Sequence, residues 1–450
     1  MYLNVPKKGH CIRLTIKKVI CYTYKREFLY FFYRRWIKMA KKVKFGIGFV
    51  TGRPNVCRIV NSYYKDMLAQ AAKYKKEVEL TIFILFDMSY QRGSRDEFYK
   101  ILPEVYKNID IKYITPEDIG EEIKFLSARK DMNIDDMNFF FGHGHAKGRN
   151  TLMYYAVKNN MDYLLFWDDD EYPVAVLDSN GKKQWKKQDN ILKHLNFMDS
   201  EKADVTIGYH CGYISPIPYI DFTDDFNEND MKDFIEAISN DIISWESIRE
   251  KMMNDNGVTF ADKEIANGLG EYEISSIGAG KWVAGSTLCL NLNNEDKIPA
   301  FYNPPLARGE DTFFSTLLGS SKTVRIPVYH FHDGFLKYTE IMDGKYPKEL
   351  RKINVREECV KSRFLKATMG WIKYKPLLLY ISDKKTYKIK IKEMRDKLEE
   401  TVPKLNKVFA DNCFTALLKE LDIYDKNVEK HYKEYQRTNK IWTTLRKIIF

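Results

Sequence analysis

Three short, nearly unbroken apolar runs decide what this chain can fold into: Val43–Val50 (VKFGIGFV), Val78–Phe86 (VELTIFILF) and Tyr163–Trp167 (YLLFW). A strand that is apolar on both faces has to lie inside a layer covered on both sides. Between the runs, apolar residues recur at helical spacing, as with Val60, Tyr63, Tyr64, Met67 and Leu68 in the stretch from Val56 to Lys75. Further helices are expected near Arg95–Tyr106, Pro116–Met132 and Arg149–Asn160, with a strand at Ile109–Ile114. Strand patterns return at Lys281–Leu292 and Thr323–Tyr329. This alternation predicts an α/β fold, a mostly parallel central sheet flanked by helices, with ligands at the carboxyl ends of its strands.

Charge is distributed unevenly along the 450 residues. Residues 1–44 hold 13 Lys and Arg against one acid, and residues 345–450 hold 27 against 14. The middle, 45–344, is acidic, with 33 against 47. An acidic centre between two basic ends argues against a core that reads nucleic-acid phosphates, so no nucleic acid is expected as a partner. It suits a central catalytic unit whose ends touch an anionic polymer or an anionic membrane surface. The expected organisation is a basic aromatic leader or peripheral membrane segment at 1–42, a catalytic domain at 43–344 and a basic helical C-terminal extension at 345–450. Within the middle domain, residues 178–270 are polar and weakly periodic, with one helix near Met231–Trp245, and read as an elaborated insert. The run nearest to a membrane span, Phe28–Trp36 (FLYFFYRRW), is short and broken by Arg34 and Arg35. The tail Lys440–Phe450 has a similar amphipathic character. A cytoplasmic protein, peripheral at the inner face of the plasma membrane, is the expectation. The seven cysteines form no CxxC pair, which excludes a disulfide scaffold or a structural zinc cluster.

Four constellations carry chemistry. Asp168-Asp169-Asp170-Glu171 follows the apolar run YLLFW directly. Adjacent carboxylates repel unless neutralised, and a hard cation such as Mn²⁺ or Mg²⁺ takes oxygen ligands while keeping substrate phosphates in its shell. A buried strand delivers this cluster to the ligand edge of the sheet. Upstream stands Gly142-His143-Gly144-His145-Ala146-Lys147-Gly148-Arg149-Asn150, a glycine loop opening a helix and suited to an anion, with Arg149 as a fixed fork for phosphate or base. The third is Arg308-Gly309-Glu310-Asp311-Thr312, in which a carboxylate at a cleft can take the proton of an attacking hydroxyl. The fourth is Tyr329-His330-Phe331-His332-Asp333, where a histidine beyond a strand end can reach the same cation.

The order strand–TxRP–helix, GRN–helix–strand–DDD, a later Gly-Glu-Asp and a histidine after the next strand resembles the GT-A-fold, nucleotide-sugar-dependent glycosyltransferases, with the closest likeness to the family-2-type inverting group. The resemblance covers roughly Val43–Asp333. It implies a Rossmann-like GT-A domain, a UDP- or GDP-sugar donor, a glycan or cell-surface polymer as acceptor, and a Mn²⁺ or Mg²⁺ cofactor. By that likeness Thr51, Arg53, Asp87, Arg149 and Asn150 would border the nucleotide. Asp168, Asp169 and Asp170 would form a DXD motif, Asp168 toward the ribose and Asp170 on the cation. Asp311, beside Glu310, would be the base. His330 is the preferred further cation ligand and His332 its substitute. Gly280 and Trp282 would line the acceptor side, which the 178–270 insert would extend. Two other readings remain at this stage: a sugar-phosphate nucleotidyltransferase, and a non-catalytic membrane- or polymer-binding protein with a degenerate domain of this fold.

Overall fold

The computed structural model describes residues 42–87, 93–129, 132–239, 245–250, 257–351, 353, 355 and 357–449. The expected leader, 1–42, falls outside them except for Lys42. Lys44–Phe450 forms one compact unit.

Each apolar run becomes a strand. β1 (Val43–Thr51) leads through Arg53 and Pro54 into α1 (Asn55–Lys73), which buries Val56, Val60, Tyr63, Tyr64 and Met67. β2 (Val78–Phe86) and β3 (Asp110–Ile114) follow, and α2 (Pro116–Ser127) opens on a Thr115–Asp118 capping box with Pro116 at its first position. The expected helix over 95–106 is a 3₁₀ turn, Arg95–Tyr99, and a single turn, Pro103–Tyr106. α3 (His145–Lys158) starts earlier than expected, directly on Gly144 at φ +93°, so the glycine loop is its N-terminus. It leads to β4 (Tyr163–Phe166).

The polar stretch expected as an insert contains a central strand. β5 (Glu171–Tyr172), the hairpin β6 (Val174–Ser179) and β7 (Lys182–Lys187), and α4 (Asn190–Ser200) lead to β8 (Val205–Gly212). After α5 (Glu228–Ile238) come β9 (Tyr272–Glu273), β10 (Leu288–Asn291), α6 (Glu310–Ser315) and β11 (Thr323–His332). The sheet runs β3-β2-β1-β4-β10-β8-β11-β5, with β9 on β11. β1–β4, β2–β3 and β8–β11 pair parallel, and β10 runs antiparallel to both β4 and β8. β4, β8 and β11 therefore end at one edge, where β10 begins. The only regular strand inside Lys281–Leu292 is Leu288–Asn291, because Gly285 and its neighbours turn the chain toward Arg149.

The sheet interior is Phe83, Leu85, Leu164, Phe166, Val205, Ile207, Leu288 and Leu290, covered by Leu152, Met153 and Ala156 of α3. Each such fully buried side chain contributes about 1.5–3 kcal/mol. The C-terminal region is helical, as expected: α7 (Glu358–Ser382), α8 (Tyr387–Val408), α9 (Ala416–Lys426) and α10 (Val428–Ile449). It is more than an appendage. Its Phe364, Ile372, Tyr374 and Leu378 share a core with Phe234 of α5, Trp282, Tyr302 and Phe313 of α6. The apolar side of the amphipathic tail, Ile441, Trp442 and Leu445, is buried: Trp442 stacks on Phe140 at 6.0 Å and donates its indole N–H to Ile298 O at 2.9 Å. Among the described residues no helix is long and apolar enough to cross a membrane.

Candidate functional site

The acidic run leaves β4 at the edge where β1, β8 and β11 also end, and each carboxylate meets a different neighbour. Asp169 is buried, accepting a hydrogen bond from Thr51 Oγ1 at the end of β1 and pairing with Arg53 Nη2. The same Arg53 nitrogen reaches Asp170 Oδ2 at 2.9 Å. Asp168 is 43% exposed, with Arg149 Nη2 3.4 Å away. Loss of hydration pushes Asp169 up to about 6 despite Arg53. Partial loss of hydration pushes Asp168 up to about 7, with Arg149 opposing the rise and Glu171, Asp170 and Asp169 adding to it.

Arg149 joins the two acidic motifs. It is buried on α3, over the Phe166 ring at 4.9 Å, with Nη1 donating to Gly285 O at 2.6 Å and Nε paired with Glu310 Oε1 at 3.2 Å. Its fork thus ties Asp168 after β4 to Glu310 at the start of α6. Glu310 would rise on burial, but His145 and Arg149 hold it below the usual carboxylate range. Asp311 accepts from Gly285 N at 3.1 Å and Thr312 N at 2.8 Å. Burial, with Glu310 beside it, pushes Asp311 up to about 6. Glu310 is thus the ion-paired member and Asp311 the one poised near neutrality.

The histidines divide differently from expectation. His330 is fully buried, with Nδ1 3.3 Å from Glu171 Oε2 and Nε2 accepting from Asn190 Nδ2 at 2.7 Å. Both ring nitrogens are engaged beneath the acidic loop, so the preferred cation ligand turns away from Asp170. His332, two residues on and on the same side of β11, places Nε2 3.7 Å from Asp170 Oδ1, both partly exposed. Among the described residues no three His, Cys, Asp or Glu side chains form a closed cage for a metal. Asp170 and His332 are the carboxylate and imidazole that approach each other at the exposed side of the loop.

Three other expected side chains do structural work. Asn150 spends its amide on the backbone of Phe301, Nδ2 to O at 2.9 Å and Oδ1 from N at 2.8 Å, and so is not free to hold a nucleotide. Trp282 is buried in the helical core with its N–H on Ile277 O at 2.8 Å, and its face is not offered to a sugar. A Cβ on Gly280 would come within 2.7 Å of Ser315 O, so this glycine lets the chain pass α6. Asp87, one residue past β2, donates its N–H to Thr51 O at 2.9 Å, at the same edge as Arg53.

Two participants were missed. Glu171, treated as the tail of the acidic run, is buried and anchors it: Ser286 Oγ donates to Oε1 at 2.6 Å, and His210 Nε2 lies 3.2 Å from the same oxygen. Against its burial, His210 and His330 hold Glu171 well below the usual carboxylate range. His210 ends the unrecognised β8, where burial lowers it but Glu171 more than compensates, leaving it raised. The available signal was Tyr-His-Cys-Gly after the short apolar run VTIG, an ionisable residue at a strand end.

No family model matches this sequence, and no curated protein matches it. Among solved structures, mouse xyloside xylosyltransferase 1 in its apo form aligns over 62% of this chain and 74% of its own, at 8% identity and a TM-score of 0.23. A likeness that low carries no argument. The structural neighbour is a glycosyltransferase by name, and the case for this chain comes from its own residues.

Proposed function

We propose that this chain is a glycosyltransferase, moving a sugar from a UDP- or GDP-sugar to a hydroxyl of a glycan or polymer acceptor, with inversion. One observation carries the reading: Arg149 holds Asp168 and Glu310 together, so two acidic motifs far apart in sequence meet at the carboxyl edge of the sheet. Asp311 is the base. Its carboxylate is fixed by two backbone N–H groups and lifted to about 6, a value suited to accepting a proton near neutral pH. It would take the acceptor hydroxyl's proton as that oxygen attacks the anomeric carbon opposite the leaving diphosphate.

Asp170 and His332 are the residues that would hold Mn²⁺ or Mg²⁺, the rest of the shell coming from donor phosphates. When bound, such a cation supplies Lewis-acid stabilisation of the leaving nucleotide. Thr51 and Arg53 orient Asp169 and Asp170, and Asp87 would border the nucleotide at the same edge.

The test is nucleotide release from a panel of UDP- and GDP-sugars with Mn²⁺, using wild type and Asp311→Asn. Wild type is expected to release nucleotide in the presence of a hydroxyl acceptor. The variant should bind donor unchanged and lose about 10²–10⁴-fold in turnover. Turnover retained by the variant removes the base assignment, and no binding of any donor by wild type removes the reading itself.

A further inference from the structure

The basic C-terminal region, which the transferase reading leaves unused, turns a mixed face of lysines and isoleucines to solvent. Five of the nine residues from Lys384 to Lys392 are lysine, and none is acidic. They span the connection from α7 and the first turns of α8. In α8, Ile391, Met394 and Leu398 are buried in the helical core. Ile389 lies on the opposite side of the helix, 61% exposed, with Lys385, Lys388 and Lys392 exposed around it.

α9 repeats the arrangement. Leu417, Leu421 and Tyr424 are buried, while Lys419, Ile423 and Lys426 recur at i, i+4 and i+7 along its outer side. Ile423 is 42% exposed. Two ion pairs lock the helices side by side: Lys388 Nζ with Asp425 Oδ1 at 3.2 Å, and Arg395 with Asp422. Tyr387 donates its hydroxyl to the same Asp425 oxygen at 2.7 Å. The outer sides of α8 and α9 therefore adjoin, and each contributes an isoleucine to one face. The carboxylates between the helices, Asp422 and Asp425, are taken up by these pairs, and the exposed acids Glu393 and Asp396 follow further along α8. Among the described residues Lys385, Lys392, Lys419 and Lys426 form no ion pair.

We infer that this α8–α9 face docks on an anionic lipid bilayer, with its lysines on headgroup phosphates and Ile389 and Ile423 at the boundary with the acyl chains. Charge complementarity selects the occupant. A cluster of roughly four to eight lysines on a protein surface is drawn to anionic lipid. A hydrophilic polyanion would satisfy the lysines but leave both isoleucines in water, and a second copy of the face would bring like charges together. A bilayer takes up both kinds of side chain. The contact is peripheral, since no described helix is long and apolar enough to cross a membrane. It is independent of the transferase reading and holds whatever reaction the chain catalyses.

Co-sedimentation of the full chain with vesicles tests this. The vesicles are phosphatidylcholine alone, or phosphatidylcholine with about one-third phosphatidylglycerol. Wild type should bind the anionic vesicles, release them as salt is raised, and leave the neutral ones in suspension. The double variant Lys385→Glu with Lys392→Glu should bind about a hundredfold more weakly, and Ile389→Ser about tenfold more weakly. All three side chains are exposed, so both variants should melt with wild type. No binding by wild type, or equal binding to neutral and anionic vesicles, overturns the inference. Unchanged affinity in the double variant would mean that another surface makes the contact, and overturns it too. Unchanged affinity in Ile389→Ser would make the face a site for soluble polyanions and discard the bilayer.

Discussion

Replacing Glu171 by Gln tests whether the acidic loop is anchored by a buried charge. Glu171 is about 4% exposed, with Ser286 and His210 on one oxygen and His330 on the other. Removing one partner of a buried pair outright costs about 3–5 kcal/mol. Gln keeps an acceptor for Ser286. The His330 contact can also re-form if the imidazole changes tautomer, because the buried Asn190 Oδ1 is without a partner and could turn to accept from Nε2. The expected loss is therefore at the lower end, about 2–3 kcal/mol. Its pH dependence follows from the two shifts. Glu171 is depressed in the folded state, so its contribution is present above its ordinary value of 4.5 and lost as pH falls. His210 is raised, so its contribution is complete below 6.5 and lost as pH rises through its shifted value. The gap between wild type and Glu171→Gln should be widest between these two limits and shrink on either side. Urea denaturation followed by tryptophan emission is well placed to measure it, since the Trp167 ring lies 5.0 Å from that of His330. Equal stabilities at pH 5.5, or a gap that stays constant from pH 5 to 9, would refute the reasoning.

Three further outcomes are expected. Arg149→Lys keeps a charge but not the fork that reaches Asp168, Glu310 and Gly285 O, so kcat/KM should fall about a hundredfold, more than KM alone accounts for. His332→Ala should weaken Mn²⁺ binding, read by titration calorimetry, by about tenfold to a hundredfold, whereas His330→Ala should act chiefly on stability. Trp442→Ala empties the contact with Phe140 and the bond to Ile298 O, and should cost about 3–5 kcal/mol in a denaturation experiment while leaving donor affinity unchanged.

What was legible in the sequence follows a physical line. Continuous apolar runs and their acidic ends are local signals, and they placed β1, β2, β4, Arg53 and the Asp168–Asp170 loop at one edge. Pairing partners are non-local and left less trace. β8 hides because Gly208 and His210 interrupt its apolar run, and only its place between β10 and β11 shows it to be central. His330 and His332 read alike in sequence, yet β11 runs on through both, and their surroundings send one into the Glu171 network and the other toward Asp170. Asn150 and Trp282 looked available because a sequence shows a side chain's chemistry but not its hydrogen-bond partner. Glu171 was undervalued for the same reason.

The charge balance at the carboxyl edge of the sheet bears on the proposed cation pair. Five carboxylates, Asp168, Asp169, Asp170, Glu310 and Asp311, gather where Arg53 and Arg149 are already spent on carboxylates. Burial is the largest cause of the upward shifts of Asp168, Asp169 and Asp311, and the neighbouring carboxylates add to it. A nucleotide diphosphate brings more negative charge, and a cleft of this composition repels it unless positive charge comes from outside the Arg53 and Arg149 pairs. In the proposed reading a divalent cation held by Asp170 and His332 would supply it. His332→Ala should then weaken UDP or GDP binding about tenfold or more in Mn²⁺ and leave it unchanged in the metal's absence, as read by titration calorimetry. An equal loss with and without the metal would mean that His332 does not act through a cation.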